Sequence, residues 1–215
     1  MKIIETILNL IYPNVCGFCG DINNENICTE CSKKIEKYKI LRIEKSTSKY
    51  IEQQCFIYKY EGEIREAILK FKFQEEAYLY RTFAKIILDN LEVCEYIKKF
   101  DIIIPVPIHR KRRLERGYNQ SELIANEISK QLIINIEKSI LIKIRNNPKQ
   151  STLKLEERKS NVKNVYEVKQ NQKIKDKKIL LIDDIFTTGN TVNECAKKLK
   201  EAGASKVSVL TIARD

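Results

Sequence analysis

The chain has 215 residues, with a hydrophobic content of 43% and a charged content of 32%. These values predict a soluble globular protein of one domain, or of one domain with a small module. No apolar run is long enough to cross a membrane, so we exclude an integral membrane protein. The formal net charge of +11 predicts an anionic partner, but a pyrophosphate compound and a nucleic acid satisfy it equally.

The N-terminal stretch MKIIETILNLIYP has apolar side chains at helical spacing from Ile3 to Ile11. Glu5 interrupts its apolar character, and no small-residue cleavage site follows. We therefore interpret it as an amphipathic helix packed on the protein rather than as a signal peptide, and we expect a cytoplasmic protein.

Four of the seven cysteines form two C-x-x-C pairs separated by eight residues. Two such tight turns can place four thiolates around one metal ion, which predicts a structural zinc site. In a cytoplasmic chain zinc is favoured over disulfides, and an iron–sulfur cluster or redox cysteines stay as alternatives. The four residues are Cys16, Cys19, Cys28 and Cys31. The isolated cysteines, predicted to be buried in the core, are Cys55, Cys94 and Cys195.

Strand and helix patterns alternate along the rest of the chain, which predicts a doubly wound, mostly parallel sheet in the α/β class. We expect residues 1–40 to form the N-terminal helix and zinc ribbon, residues 33–49 to include a basic linker, and residues 50–215 to form the main domain. Strands are expected over residues 55–60, 102–104, 140–144, 178–182 and 206–212. Helices are expected over residues 63–73, 77–97 and 118–132, and from residue 191 onward.

The stretch ILLIDDIFTTGNT joins a buried strand to a helix. The aliphatic run 179–182 predicts a strand buried on both faces, and the acid pair Asp183 and Asp184 follows at once. The helix after the loop offers free backbone N–H groups and the positive end of its dipole to a phosphate. The carboxylates can accept hydrogen bonds from a diol or assist Mg²⁺ binding. The loop residues expected around the anion are Thr187, Thr188, Gly189, Asn190 and Thr191.

A second, basic loop is expected at the same edge of the sheet. The strand over residues 102–104 ends in Pro105-Val106-Pro107, and a basic run follows. Ligands of open α/β sheets gather beyond the C-terminal ends of the strands, so arginines here are placed to meet pyrophosphate. The candidates are Arg112, Arg113 and Arg116. Three neighbours could either contact a ligand or have only local roles: His109, Tyr118 and Asn119.

Residues 179–191 closely resemble the phosphoribosyl pyrophosphate signature of type I phosphoribosyltransferases. The resemblance implies that Asp183 and Asp184 face the ribose 2′- and 3′-hydroxyls, which makes them the candidate catalytic residues. It also implies that residues 187–191 wrap the 5′-phosphate and that Mg²⁺ accompanies the ligand.

The order of motifs narrows the resemblance. The four-cysteine module, the Pro-Val-Pro segment with its basic run, RGYNQ (116–120) and DDIFTTGNT (183–191) together resemble the ComF family of competence-associated proteins. The resemblance covers essentially the whole chain and implies a link to the uptake of transforming DNA. It further implies that residues 145–165 form a flexible flap over the pyrophosphate, although a solvated loop is the alternative. The flap residues would be Arg145, Gln150 and Arg158.

Functions from different classes stay open. The first is a phosphoribosyltransferase. The sequence does not identify its acceptor, which the zinc module and residues 50–75 are expected to hold. The second is a non-catalytic module that binds single-stranded DNA or DNA-processing proteins, and a sensor of phosphoribosyl pyrophosphate is a third. Tyr118 is the only aromatic residue close to the basic run, whereas stacking platforms for single strands usually need several.

Overall fold

The structure, a computed structural model, describes residues 14–146 and 165–215. The helix predicted before residue 14 and the flap residues Gln150 and Arg158 lie outside the described residues. Within these two ranges, no helix is both long enough and apolar enough to cross a membrane.

Helices and strands alternate through most of the described chain. The helices are α1 (Thr29–Glu36), α2 (Gly62–Phe73), α3 (Leu79–Leu88), α4 (Leu91–Ile97), α5 (Arg110–Arg116), α6 (Gln120–Leu132) and α7 (Asn190–Glu201). The strands are β1 (Lys39–Lys45), β2 (Gln53–Lys59), β3 (Ile102–Pro105), β4 (Asn135–Ile136), β5 (Leu141–Lys143), β6 (Tyr166–Val168), β7 (Lys178–Phe186) and β8 (Lys206–Arg214).

The main sheet has six strands in the order β1-β2-β8-β7-β3-β4. Every neighbouring pair is parallel except β1 with β2. The aliphatic run of β7 lies at the centre, where Ile179 pairs with Ile102 of β3 and with Val207 of β8. A strand with parallel neighbours on both sides is covered by helices on both faces, which explains why this run lacks polar residues.

Successive side chains of β7 enter two separate cores, because side chains of a strand alternate between its faces. Leu180 and Ile182 pack with α2, α3 and α6 in one core, whereas Ile179 and Leu181 pack with α7 and with the β5–β6 ribbon in the other. Burying one such aliphatic side chain contributes about 1.5–3 kcal/mol. The sheet is therefore covered on both faces, and the predicted doubly wound α/β architecture is confirmed.

The predicted linker over residues 33–49 is wrong. Helix α1 ends at Glu36, and β1 then adds to the main sheet antiparallel to β2. Leu41 and Ile43 of β1 pack against the first core, so this basic stretch contains an apolar face that sheet formation buries. Its lysines and arginine lie at the sheet edge, where charge discourages pairing with another chain.

The single helix predicted over residues 77–97 is two helices. Helix α3 ends at Leu88, and Asn90 takes an extended backbone and accepts a hydrogen bond from the N–H of Val93 at 3.2 Å. Asparagine at this position caps a helix, so the local signal for a new start outweighs the continuous apolar pattern.

The strand predicted over residues 140–144 is present but lies outside the main sheet. Strand β5 pairs antiparallel with β6 to form a separate two-stranded ribbon. The ribbon packs against α7 in the second core. The sequence pattern predicted the strand, whereas tertiary packing determined that it pairs with β6.

Candidate functional site

The C-terminal ends of β2, β8, β7 and β3 meet at one edge of the sheet and surround a cleft of about 730 Å³. Its walls come from the loop before α7, the acid pair at the end of β7, helix α5, the C-terminal part of α2 and the β5–β6 ribbon. The two loops that the sequence places at the same edge therefore do line the same cavity.

The loop between β7 and α7 opens the helix N-terminus toward the cleft. Gly189 stands at the N-cap with φ +69° and ψ 0°, a left-handed conformation that glycine adopts without strain. A Cβ at this residue would lie 2.5 Å from Cζ of Phe186, so a side chain has no room. The free N–H groups of the first turn and the helix dipole suit an anion, as the sequence predicts. All five predicted loop residues line the cleft: Thr187, Thr188, Gly189, Asn190 and Thr191.

The two carboxylates of the acid pair have different surroundings. Asp184 is only 5% exposed, and its Oδ1 lies 2.8 Å from Nζ of Lys72 on α2. Asp183 is partly buried and its Oδ1 accepts a hydrogen bond from Oγ of Ser121 on α6 at 3.0 Å. Asp184 is therefore covered by α2, although it lies at the edge of the sheet that lines the cleft.

Burial and the adjacent charge of Asp184 raise the pKa of Asp183 to about 7, despite opposing contributions from Lys72 and Ser121. Two neighbouring carboxylates resist carrying full charge together, and the one without a close cation keeps its proton longer. At neutral pH Asp183 can thus either donate or accept a hydrogen bond. Such a pair suits two adjacent hydroxyls, because Asp184 stays available as an acceptor beside it.

The basic run forms a helix rather than a loop. His109 stands at the N-cap of α5, where its Nδ1 accepts a hydrogen bond from the N–H of Lys111 at 3.2 Å. Gly117 ends the helix in a left-handed conformation, with φ +79°. His109 therefore has a local capping role, which is one of the alternatives left open by the sequence.

The helix separates the three candidate arginines. Arg112 and Arg116 line the cleft, and Arg116 donates to Oε1 of Gln120 at 2.7 Å. Arg113 is not part of the cleft wall: its guanidinium makes two hydrogen bonds to Glu122, at 2.9 and 3.3 Å. Residues one position apart on a helix point in different directions, so the predicted placement of Arg113 at the ligand edge is incorrect.

The segment RGYNQ fixes α6 against α2. The Tyr118 hydroxyl donates to the carbonyl oxygen of Phe71 at 2.8 Å, and Nε2 of Gln120 donates to the same oxygen at 2.9 Å. Nδ2 of Asn119 donates to the carbonyl oxygen of Val106 at 3.1 Å, and its side chain makes no capping hydrogen bond. These side chains hold the two cleft walls together.

Other cleft residues were not identified from the sequence. Lys72 pairs with Asp184, and Phe73 lies 55% exposed with its ring centroid 5.5 Å from the guanidinium of Arg116. Lys143 enters from β5. The only sequence feature that sets Lys72 apart is its position between two aromatic residues, Phe71 and Phe73. Of the two regions expected to hold an acceptor, the second supplies cleft residues between 60 and 75, whereas no described residue of the cysteine module lines the cleft.

The N-terminal cysteines converge as their spacing predicts. The Sγ atoms of Cys16, Cys19, Cys28 and Cys31 all lie within 4.8 Å of one another. A tetrahedral zinc ion with Zn–S distances of about 2.3 Å would place its sulfurs about 3.8 Å apart, close to this arrangement. The cluster could therefore hold zinc. The isolated cysteines are buried, as predicted: Cys55, Cys94 and Cys195.

Backbone hydrogen bonds favour a thiolate at Cys16, whereas burial and the neighbouring thiols raise the pKa of Cys31. The N–H of Cys28 donates to Sγ of Cys16, and the N–H of Cys31 donates to Sγ of Cys28, both at 3.4 Å. Burial opposes ionisation of Cys16, but hydrogen bonds from the backbone of Cys19, Cys28 and Phe18 outweigh it and lower the pKa of Cys16 to about 6. Thiolates are the form that binds zinc.

The cysteine module packs closely on α3. Oγ1 of Thr82 donates to the carbonyl oxygen of Asn26 at 3.1 Å. A Cβ at Gly17 would lie 2.2 Å from this Oγ1. Gly17 thus permits a close approach between module and helix, in addition to any flexibility it gives the turn.

Comparisons with known proteins agree with this architecture. Residues 119–215 match the family described as phosphoribosyl transferase domain. Competence protein F of Haemophilus influenzae is 28% identical over 212 residues, which cover 90% of this chain and 92% of the relative. Competence protein ComFC of Bacillus subtilis is 29% identical, over 96% of this chain and 80% of the relative. The family match and these two relatives support the ComF family.

The chain combines a type I phosphoribosyltransferase-like fold with an N-terminal four-cysteine module. A purine phosphoribosyltransferase from Pyrococcus horikoshii has a TM-score of 0.41 and 17% identity, over 64% of this chain and 84% of that chain. The predicted family and fold class are confirmed.

Proposed function

We propose that the cleft binds phosphoribosyl pyrophosphate. The observation that carries the proposal is the shared cavity of three features: the N-terminus of α7 with its Thr/Gly loop, the acid pair, and the cationic side of α5. The 5′-phosphate lies on residues 187–191, the ribose diol faces Asp183 and Asp184, and the pyrophosphate extends toward Arg112 and Arg116.

The acid pair also fits Mg²⁺. Among the described residues, only the four cysteines place three or more cysteine, histidine or acidic ligand atoms close enough to share one metal ion, so no more than two carboxylates of the cleft could hold Mg²⁺ together. Mg²⁺ often keeps several waters and binds through one or two carboxylates plus substrate phosphates, which matches this donor set. When bound, it would neutralise charge on the pyrophosphate, while the protein residues orient the ribose.

As an enzyme, the protein would transfer the phosphoribosyl group. The bond between C1′ and the pyrophosphate oxygen breaks as an acceptor attacks C1′, and the protein positions the reactants and stabilises the departing charge. The acceptor would enter beside Tyr60, Leu69 and Phe73, which line the cleft next to the acid pair. The flap residues, including the exposed Arg145, would close over the pyrophosphate.

The cysteine cluster would bind one structural Zn²⁺. The cellular role would be in competence, because two relatives over most of the chain are competence proteins. The protein would act in the cytoplasm on the handling of incoming DNA, with DNA-processing proteins as partners.

One observation favours direct binding of single-stranded DNA as a second function. Arg110, Lys111 and Arg113 are exposed on α5, and Leu114 beside them is 76% exposed. Cations on a helix can contact a phosphate backbone without reading its sequence. This surface adjoins the cleft, so one ligand could reach both.

Calorimetry with phosphoribosyl pyrophosphate and Mg²⁺, and with single-stranded DNA, on the same preparation tests both functions. Asp183→Asn should weaken phosphoribosyl pyrophosphate binding by about tenfold or more, because a charge-assisted hydrogen bond contributes about 1.5–3 kcal/mol. Asp176→Asn is the control, since Asp176 is an exposed turn residue with φ +60° that asparagine tolerates. Equal affinity of the wild type and Asp183→Asn would show that the ligand lies elsewhere.

A further inference from the structure

Lys143 is a cleft lysine that the ribose and phosphate assignments do not use. It lies at the end of β5 and is partly buried in the cleft wall. Its Nζ stands 5.4 Å from the ring centroid of Tyr166. Across residues 14–146 and 165–215, its ammonium makes no ion pair and no side-chain hydrogen bond.

The β5–β6 ribbon holds this ammonium in place. Lys143 and Tyr166 are direct cross-strand partners, so their side chains share one face of the ribbon. Tyr166 is 3% exposed and packs in the second core, which gives Lys143 a rigid support. A long flexible side chain is thereby directed into the cleft rather than left in solvent.

Such an ammonium is unfavourable without a counter-ion. Burial and, next, the positive charge of Arg112 lower the pKa of Lys143, while Asp183 opposes them only weakly. The charge of Lys72, another partly buried cleft lysine, is balanced by its ion pair with Asp184. Among the residues that the structure describes, Lys143 has no such partner, and its neighbour Arg112 lines the same cleft. An anionic ligand placed by these two side chains would remove the penalty.

We propose that Lys143 binds the pyrophosphate group of the ligand, together with Arg112. This rests on the proposed function. The 5′-phosphate already has the N-terminus of α7 and the loop hydroxyls, whereas pyrophosphate carries more charge and needs side-chain cations. The proposed function directs the pyrophosphate toward Arg112, and Lys143 lines the same cleft, so a ligand group between these two cations would be the pyrophosphate.

The test compares two probes, inorganic pyrophosphate and ribose 5-phosphate, by calorimetry at one fixed Mg²⁺ concentration. Lys143→Met keeps the length of the side chain and removes its charge. It should weaken pyrophosphate binding by about tenfold or more and change ribose 5-phosphate binding by less than about threefold. Lys143→Arg should stay within about threefold of the wild type for both. Lys138→Met, at an exposed lysine outside the cleft wall, is the control.

Thermal unfolding provides a readout that separates binding from structure. Without ligand, Lys143→Met should have the same melting temperature as the wild type or a higher one, because an unpaired, partly buried charge is removed. A lower melting temperature together with weaker binding of both probes would indicate a structural role and overturn the proposal.

The remaining outcomes separate this proposal from the one it rests on. If the wild type binds phosphoribosyl pyrophosphate and pyrophosphate, and Lys143→Met binds pyrophosphate as tightly, only the role of Lys143 is refuted. Equal weakening of both probes in a stable variant refutes the assignment to pyrophosphate. If the wild type binds none of these ligands, the proposed function fails as well.

Discussion

Lys72 of α2 places its Nζ 2.8 Å from Oδ1 of Asp184, so a helix remote in sequence neutralises the second carboxylate of the acid pair. The side chains of Lys72 and Asp184 are 21% and 7% exposed. Asp183, one residue earlier, has no ion pair within the described chain. The two carboxylates therefore meet a ligand in different surroundings, because Asp184 is paired with a cation and Asp183 is not. The sequence alone presents them as equivalent.

Removing Lys72 should destabilise the fold. Breaking a buried ion pair by deleting one partner costs about 3–5 kcal/mol, and we expect the lower end for Lys72→Met because Lys72 is a fifth exposed. The double variant Lys72→Met/Asp184→Asn should recover part of the loss, since no unpaired charge remains. Urea unfolding of both single variants and the double variant measures the coupling. Additive losses would mean that the ion pair contributes nothing.

The raised pKa of Asp183 predicts a pH-dependent effect on stability. Its folded pKa of about 7 exceeds the ordinary pKa of an aspartate, 3.8, so between these values the folded state holds a proton that the unfolded state has released. Stability from this residue is present at low pH and is lost as pH rises toward 7. The groups that interact with it are Asp184, Lys72, Ser121, Lys143, Tyr166 and Cys195.

Asp183→Asn cannot ionise and should therefore be more stable than the wild type at pH 8, by about 1 kcal/mol or more, with a smaller difference at pH 5. Denaturant unfolding at several pH values gives this difference directly. Asp176→Asn, at an exposed turn residue, is the control variant measured at the same pH values. A constant difference for Asp183→Asn would mean that Asp183 titrates normally.

Metal analysis of the purified protein should give about one zinc per chain, bound by the four-cysteine cluster. A chelator strong enough to remove it should increase hydrogen exchange over residues 14–36, because the ion organises this module. Cys28→Ser should lose the metal, and Cys94→Ser, at a buried cysteine outside the cluster, should keep it. A metal-free module with unchanged exchange protection would refute the zinc site.

Tyr118 should stabilise the protein without contacting the ligand. Tyr118 and Gln120 each donate to the carbonyl oxygen of Phe71, so Tyr118→Phe alone should cost about 1 kcal/mol, because one donor remains. Gln120→Met should cost more, because it also removes the acceptor of Arg116. The double variant should lose more than the sum, since it leaves this carbonyl without either side-chain donor. Chemical denaturation tests the non-additivity. A fall in phosphoribosyl pyrophosphate affinity for Tyr118→Phe, at full stability, would instead support direct ligand contact.

Sequence patterns predicted elements whose signals are short and continuous. The run of four aliphatic residues in β7 could only be buried on both faces, and the Thr/Gly loop and α7 followed in order. They failed where a local signal competed with a longer pattern, as at Asn90, which begins a new helix inside an apolar repeat. The sequence patterns also failed for β1, because an edge strand that mixes charged and aliphatic residues, as KILRIEK does, has the composition of a linker until a neighbouring strand pairs with it.

The candidate site shows the same division. Asp183, Asp184, residues 187–191, Arg112 and Arg116 were named from their spacing, and the structure brings them to one cleft. Arg113 was grouped with them because nothing in the run of consecutive basic residues distinguishes one from another. The helical geometry of α5 instead directs Arg113 to Glu122. Lys72 and Lys143 were missed because neither belongs to a motif, and each reaches the cleft only through the packing of its own element.

The sequence by itself determined the α/β class, the position of the phosphate loop and the convergence of four cysteines, because each depends on residues close together in the chain and on their local backbone geometry. Tertiary structure decided which cations lie beside the acid pair and in the cleft, since Lys72 and Asp184 are 112 positions apart in the chain and meet only when α2 packs over β7. The two carboxylates differ because of that packing: burial raises the pKa of Asp183, while Asp184 forms an ion pair with Lys72.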